Sequence, residues 1–172
     1  MPGPTSRHDQ AVSTLLQAFK EAVGEEHVNG NVDGYAVDGF EPGLVVRPPD
    51  LDHLTRVMAT ATEHRAAVAP RGGGTRVDIG NPPERLDAVV DVSNLNEIVQ
   101  HNPADLTVTV QAGMTLAILR HVLGDQGQFI AIDAPQPERA TIGGTLASGA
   151  GGPLRWHYGH PRDSVIGMKV VQ

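Results

Sequence analysis

Apolar side chains return every three or four positions through residues 9–23, "DQAVSTLLQAFKEAV", which places Val12, Leu15, Leu16, Phe19 and Val23 on one face of a helix stopped by Gly24. The pattern then breaks into turn-formers, and residues 26–43 read as loops. "LVVR" (44–47) is a short β run, followed by a helix in which Asp50 is the N-cap and Leu51, Leu54, Met58 and Ala61 supply the apolar stripe. "AVAP" (67–70) and "LDAVVDVS" (86–93) are further strands. Strand, helix and strand at this spacing predict a βαβ unit with parallel pairing. From about residue 95 the pattern changes to period two. "EIVQ" (97–100), "DLTVTVQA" (105–112) and "VIGMKVVQ" (165–172) read as strands, with Leu106, Val108 and Val110 alternating against Thr107, Thr109 and Gln111 as in a half-buried antiparallel strand. Between them "TLAILRHVLGDQG" (115–127) predicts a helix capped by Thr115, with Leu116, Leu119, Val122 and Leu123 on its inner face and an end near Gly124. The fold class is α+β, a small parallel α/β lobe at about 36–93 followed by a mixed, largely antiparallel lobe with helices at 94–172. The lead helix and its loop occupy residues 1–35.

The glycines add chemistry to this frame. They crowd into residues 71–80 and 143–159, and "PRGGGT" (70–75) sets three in a row after a parallel strand. Residues without Cβ let several backbone N–H groups turn toward one anion, as in loops that wrap phosphate. Two familiar phosphate loops fail on spacing. No glycine precedes a Lys-Ser or Lys-Thr pair, and the third glycine of a dinucleotide fingerprint opened by Gly72 and Gly74 would fall on Val77, ahead of a stretch that is no helix. Composition narrows the ligand further. The formal charge is −7, with 20 acidic and 13 basic residues and no Lys/Arg cluster, so a nucleic-acid surface is excluded and one small anion held by backbone groups is favoured. Cysteine is absent, which removes disulfides, iron–sulfur ligation and thiol nucleophiles. No apolar run approaches the ~18 residues of a membrane span, and "MPGPTSRHDQ" lacks a signal peptide's apolar core; it is the absence of cysteine that fits a cytoplasmic protein.

Four blocks then carry a resemblance: "PRGGGT", "VVDVSNLNEI" (89–98), "TVTVQAGMTLAIL" (107–119) and "ATIGGTLASGAGGPLRWHYGHPRDSVIGMKVV" (140–171). In this order and at about this spacing they resemble the flavin domain of the vanillyl-alcohol oxidase family, the PCMH-type FAD-binding fold. The likeness covers roughly residues 35–172, and within the family it is most similar to the FAD-binding subunits of bacterial glycolate oxidases. The resemblance implies non-covalent FAD, with its pyrophosphate held between two glycine loops. Arg71, Gly72, Gly73, Gly74 and Thr75 would supply one set of N–H donors and the Thr75 hydroxyl. Ala140, Thr141, Gly143 and Gly144 would supply the other, and Ala147, Ser148 and Gly149 would continue toward the flavin ring. Some members attach the flavin through a histidine in the first loop, but the matching end of this loop is Thr75. Gly73 and Gly144 are expected in exposed loops, where a Cβ would meet phosphate and cost the fold little.

Other polar residues take plainer roles. Asp91 and Asn96 read as turn and strand-end caps. His157 and His160 read as solvated loop residues and no metal site is expected, Arg162 and Asp163 read as an ion pair bracing a loop, and Trp156 as a packing residue. The first functional reading is an FAD-dependent oxidoreductase module acting on a small 2-hydroxy acid such as glycolate, with other oxidase subunits as partners. No catalytic base is assigned, because the resemblance places substrate-contacting groups in a cap domain C-terminal to the flavin domain. The second reading is a non-catalytic, truncated or accessory flavin-fold fragment that acts only with partner chains. A third is a relative that reduces an enol ether with NADPH. The apolar strand 165–172 is expected to pair on both edges, so the chain reads as incomplete at its C-terminus.

Overall fold

The computed structural model describes residues 7–171, with side chains from Val12 onward. They divide into two compact units, one built from residues 7–70, 80–91 and 171, the other from 71–79 and 92–170.

In the first unit, helix α1 (Arg7–Val23) buries Leu15, Phe19 and Val23, the i, i+4, i+8 series on its expected face. It packs against α2 (Leu51–Glu63). The buried residues of α2 are Val57 and Ala61, whereas Leu51 is exposed. Leu51 precedes Val57 by six residues and is rotated about 120° from it around the helix, so the stripe begins later than its spacing suggested. Asp50 caps α2 as expected, accepting from the His53 N–H at 2.8 Å and lying 2.7 Å from His53 Nδ1. These contacts, the backbone bond first, hold the Asp50 carboxyl below its ordinary 3.8. A depressed carboxyl stabilises the fold above its unfolded value and loses that effect as pH falls through its folded value. Asp50→Ala is therefore expected to lower the melting temperature at pH 7 and to match the wild type in acid below both values. A deficit that persists unchanged in acid would refute the charge-linked part.

The strands of this unit are β1 (Val28–Asn29), β2 (Leu44–Val46), β3 (Val68–Arg71) and β4 (Ala88–Asp91), in sheet order β1-β2-β4-β3. β1 runs antiparallel to β2, and β2 parallel to β4 with Leu44 opposite Ala88 and Val46 opposite Val90. Every residue of β2 and β4 is buried, as in a sheet covered on both faces. Val45 and Val89 pack with Leu86 under Val32, Tyr35 and Val37. Leu44 and Val46 point to the opposite face, and α1 packs along β2. The parallel pairing is present, but β4 lies between β2 and β3. The strands that flank α2 are thus not neighbours, because a crossover connection leaves room for a strand supplied later in the chain.

In the second unit, β5 (Ile98–Asn102) and β6 (Thr107–Val110) form an antiparallel pair with an irregularity between Ile98 and Gln100. Leu106 does not join the alternation. It ends a 3₁₀ turn over Pro103–Asp105 with φ 55° and is 79% exposed, so the inward series starts at Val108. Helix α3 (Leu116–Gly124) is capped by Thr115 and buries Leu116, Leu119 and Leu123. Leu119 and Leu123 join Met114, Ile98, Val108 and Val110, while Leu116 packs with Ile132, Ala134, Ala140 and Ala150. Two short helices, α4 (Ile142–Ser148) and α5 (Arg155–Tyr158), and a 3₁₀ turn over Pro161–Ser164 occupy a stretch without apolar periodicity.

Residues 165–171 form no strand; the expected strand's last residue, Gln172, lies outside the described residues. Ile166, Met168 and Val170 are exposed there, and among the described residues no strand pairs with this segment. Alternation makes a strand only where a neighbour takes up its N–H and C=O groups. No helix among the described residues is long and apolar enough to cross a membrane.

Candidate functional site

Arg71 ends β3, and its carbonyl accepts from the Val92 N–H at 2.8 Å. The glycines follow. A Cβ built on Gly72 would stand 2.2 Å from Thr141 Oγ1, and one on Gly73 only 1.6 Å from the Arg139 carbonyl oxygen. Gly74 takes φ +66°, which side chains rarely adopt. Loop 71–75 and segment 139–144 are therefore in direct contact. Gly73 is not in an exposed loop. It is pressed against backbone, so its missing Cβ first serves the fold. Gly144 is exposed on the first turn of α4, where a Cβ would meet only Thr141 Oγ1 at 3.1 Å.

The two segments differ in what their N–H groups do. Among the described residues, the N–H groups of Gly72, Gly73, Gly74 and Thr75 donate to no protein acceptor. In the second segment Ala140 donates to Gln136 O at 2.7 Å, Gly143 to Ala112 O at 2.8 Å and Gly144 to the Thr141 hydroxyl at 3.2 Å. Thr141 N–H has no protein acceptor among the described residues. Ala147 and Ser148 lie within α4, and the Ser148 hydroxyl turns back to Gly144 O at 2.7 Å. Gly149 closes the helix at φ 62°. The first loop thus presents open donors, and the second segment is a mount that locks it. Partly buried N–H groups without acceptors are costly. Four in succession suit a ligand with many acceptor oxygens and negative charge, and a diphosphate meets that description.

Sequence reasoning missed Arg139. Its Nη2 donates to Gly73 O at 3.0 Å, although nothing in its spacing connects it to residue 73. Asp91 is more than a strand-end cap. It is 4% exposed and accepts from the Tyr35 hydroxyl at 2.6 Å and from Arg47 Nε at 3.0 Å. Arg162 and Asp163 approach to 3.7 Å but both are exposed, and the turn is held instead by Asp163 Oδ2 accepting from the His160 N–H at 2.7 Å. Trp156 is no packing residue. It is 85% exposed, with the Arg155 guanidinium 5.7 Å from its ring. His157 and His160 are exposed, and no group of three or more His, Cys, Asp or Glu among the described residues is arranged to hold a metal.

Residues 42–172 match the family model described as an FAD binding domain. The chain belongs to this FAD-binding family. The curated relatives include the glycolate oxidase subunit GlcD of Bacillus subtilis, 32% identical over 76% of this chain and 28% of its own length. The D-2-hydroxyglutarate dehydrogenase of Stutzerimonas stutzeri is 30% identical over the same shares, and a mitochondrial D-lactate dehydrogenase [cytochrome] of Saccharomyces cerevisiae is 30% identical over 99% of this chain and 32% of its own. The chain thus spans about a third of the length of the curated relatives it matches. Among solved structures, an alkyldihydroxyacetonephosphate synthase superposes with TM-score 0.75 at 20% identity, over 95% of this chain and 33% of that one. A p-cresol methylhydroxylase gives 0.71 at 16%, over 87% and 31%. At such identities the likeness shows the fold, which is the PCMH-type FAD-binding fold, present here in part.

Proposed function

We propose that residues 36–172 form the FAD-binding part of an oxidoreductase that oxidises a small 2-hydroxy acid, glycolate first among them. The observation that carries this is the run of open N–H groups from Gly72 to Thr75 on a loop locked by segment 139–144. Gly72, Gly73, Gly74 and Thr75 would hold the diphosphate. Thr141 and the exposed face of Gly144 would border it, with Ala147, Ser148 and Gly149 extending toward the ring system. When bound, FAD supplies two-electron redox chemistry, while the chain's part is to bind and orient it. Backbone amides add no formal charge, so an acidic chain can take a diphosphate. The compounds for which the relatives are named, glycolate, D-lactate and D-2-hydroxyglutarate, share a hydroxyl on the carbon beside a carboxylate, which supports the substrate class. Binding is non-covalent in this reading, since loop 71–75 holds neither His nor Cys. The setting is cytoplasmic, with other oxidase subunits as partners.

The test uses the protein at its natural length. FAD titration should produce a bound flavin spectrum that acid precipitation releases into the supernatant, and glycolate or D-lactate should bleach it anaerobically. Colour retained in the pellet would refute non-covalent binding. A bound flavin that no 2-hydroxy acid reduces would refute the substrate class, and NADPH-driven bleaching would replace it with a reductase.

A further inference from the structure

The stretch Gly72–Gly74 is the most permissive backbone in the chain, yet its central carbonyl is clamped. Arg139 Nη2 donates to Gly73 O at 3.0 Å, and the Gly73 Cα sits so close to the Arg139 carbonyl that no Cβ fits between them. A trans peptide points its C=O and N–H in opposite directions. Holding Gly73 O toward Arg139 therefore turns the Gly74 N–H away from it. Between two glycines that peptide could otherwise rotate at little cost, because neither flanking residue restricts it through a Cβ.

The clamp has a firm base. The N–H groups of Arg139 and Ala140 both donate to Gln136 O, at 2.9 and 2.7 Å. The first two N–H groups of α3, from Leu116 and Ala117, donate to Ala140 O and Pro137 O, each at 2.9 Å. Those helix-end donors have no partner within the helix, so they tie the turn that carries Arg139 to a buried element. Among the described residues no carboxylate lies within ion-pair distance of Arg139, and its other contact, to Gln136 Oε1, is longer at 3.5 Å.

We propose that Arg139 is a positioning residue for the diphosphate, directing the Gly74 N–H by holding the Gly73 carbonyl. The proposal rests on the reading that loop 72–75 takes the diphosphate of FAD. It assigns Arg139 no contact with phosphate, since the guanidinium lies on the carbonyl side of the peptide.

The test titrates FAD, ADP and riboflavin into the flavin-free, natural-length protein as wild type, Arg139→Met and Arg139→Lys. ADP carries the diphosphate without the ring, and riboflavin the ring without phosphate. Arg139→Met should weaken FAD and ADP about tenfold or more, the scale of a charge-assisted hydrogen bond. Riboflavin affinity should not change. Arg139→Lys, which can still donate to Gly73 O, should recover part of the loss. In the ligand-free protein the Gly74 amide signal should shift in Arg139→Met while the protein still melts cooperatively from a folded state. Unchanged FAD and ADP affinity, or equal losses for all three ligands, would overturn the proposal, and Arg139→Lys reads the same split if the Met variant folds poorly. Failure of the wild type to bind FAD or ADP would overturn the underlying FAD reading instead.

Discussion

Gly73→Ala is expected to destabilise the flavin-free protein by about 3 kcal/mol or more and to abolish FAD binding, the upper range for overpacking a tight site. The added Cβ would stand 1.6 Å from the Arg139 carbonyl oxygen and 2.5 Å from its carbon. Both are backbone atoms, so no rotamer change relieves the overlap and the two segments must separate. Their separation would break the Arg139–Gly73 hydrogen bond and scatter the open N–H groups. Gly144→Val is the contrast. Its Cβ position is limited only by Thr141 Oγ1, 3.1 Å away, and the residue is exposed. Stability should stay within about 1 kcal/mol, the span of helix propensities. No protein neighbour demands a glycine there, so a loss of flavin affinity in Gly144→Val would reflect the ligand's approach. Urea melts beside FAD titrations, corrected for the folded fraction, separate the two effects. A Gly73→Ala protein that melts with the wild type would refute the packing argument.

Asp91→Ala should cost about 3 kcal/mol, the lower end of the range for breaking a buried ion pair. The Asp91 carboxylate is 6% exposed, whereas the Arg47 side chain is 48% exposed. Removing Asp91 therefore lets Arg47 turn toward water but deletes the carboxylate that accepts from the Tyr35 hydroxyl. Arg47 also contacts the Tyr35 hydroxyl and places its guanidinium carbon 5.6 Å from the Tyr35 ring centroid. The hydrogen bond to Tyr35 comes first, and the bond to Asp91 adds to it, in raising the Arg47 pKa above its ordinary value. Coupling should therefore be cooperative. Asp91→Ala with Tyr35→Phe should cost less than the sum of the two single losses, measured by urea denaturation as a double-mutant cycle. Additive losses, or an Asp91→Ala cost under about 1 kcal/mol, would show that the cluster is a surface pair of the kind worth little.

What could be read from the residues alone is what short-range physics controls. The inner faces of α1 and α3 and the caps Asp50 and Thr115 follow from a 3.6-residue period and from side chains that reach N–H groups three positions on. The glycine blocks, in their order, pointed to the FAD-binding family that residues 42–172 match. Tertiary structure decided the rest. The insertion of β4 between β2 and β3 depends on a strand that arrives some 20 residues later, and no local pattern encodes it. The apolar run 165–171 has a strand's composition, but pairing requires a neighbour, and among the described residues none is supplied. Trp156 is apolar enough to suggest a core and stands exposed, because burial belongs to the surroundings and not to the side chain. The largest difference lies at the loop. Three successive glycines announced that a backbone must come close to something. Only the fold shows that at Gly72 and Gly73 the near object is the turn bearing Arg139 and Thr141, leaving the N–H groups open. A glycine records that space is needed, whereas what fills the space is set by residues some 66 positions away.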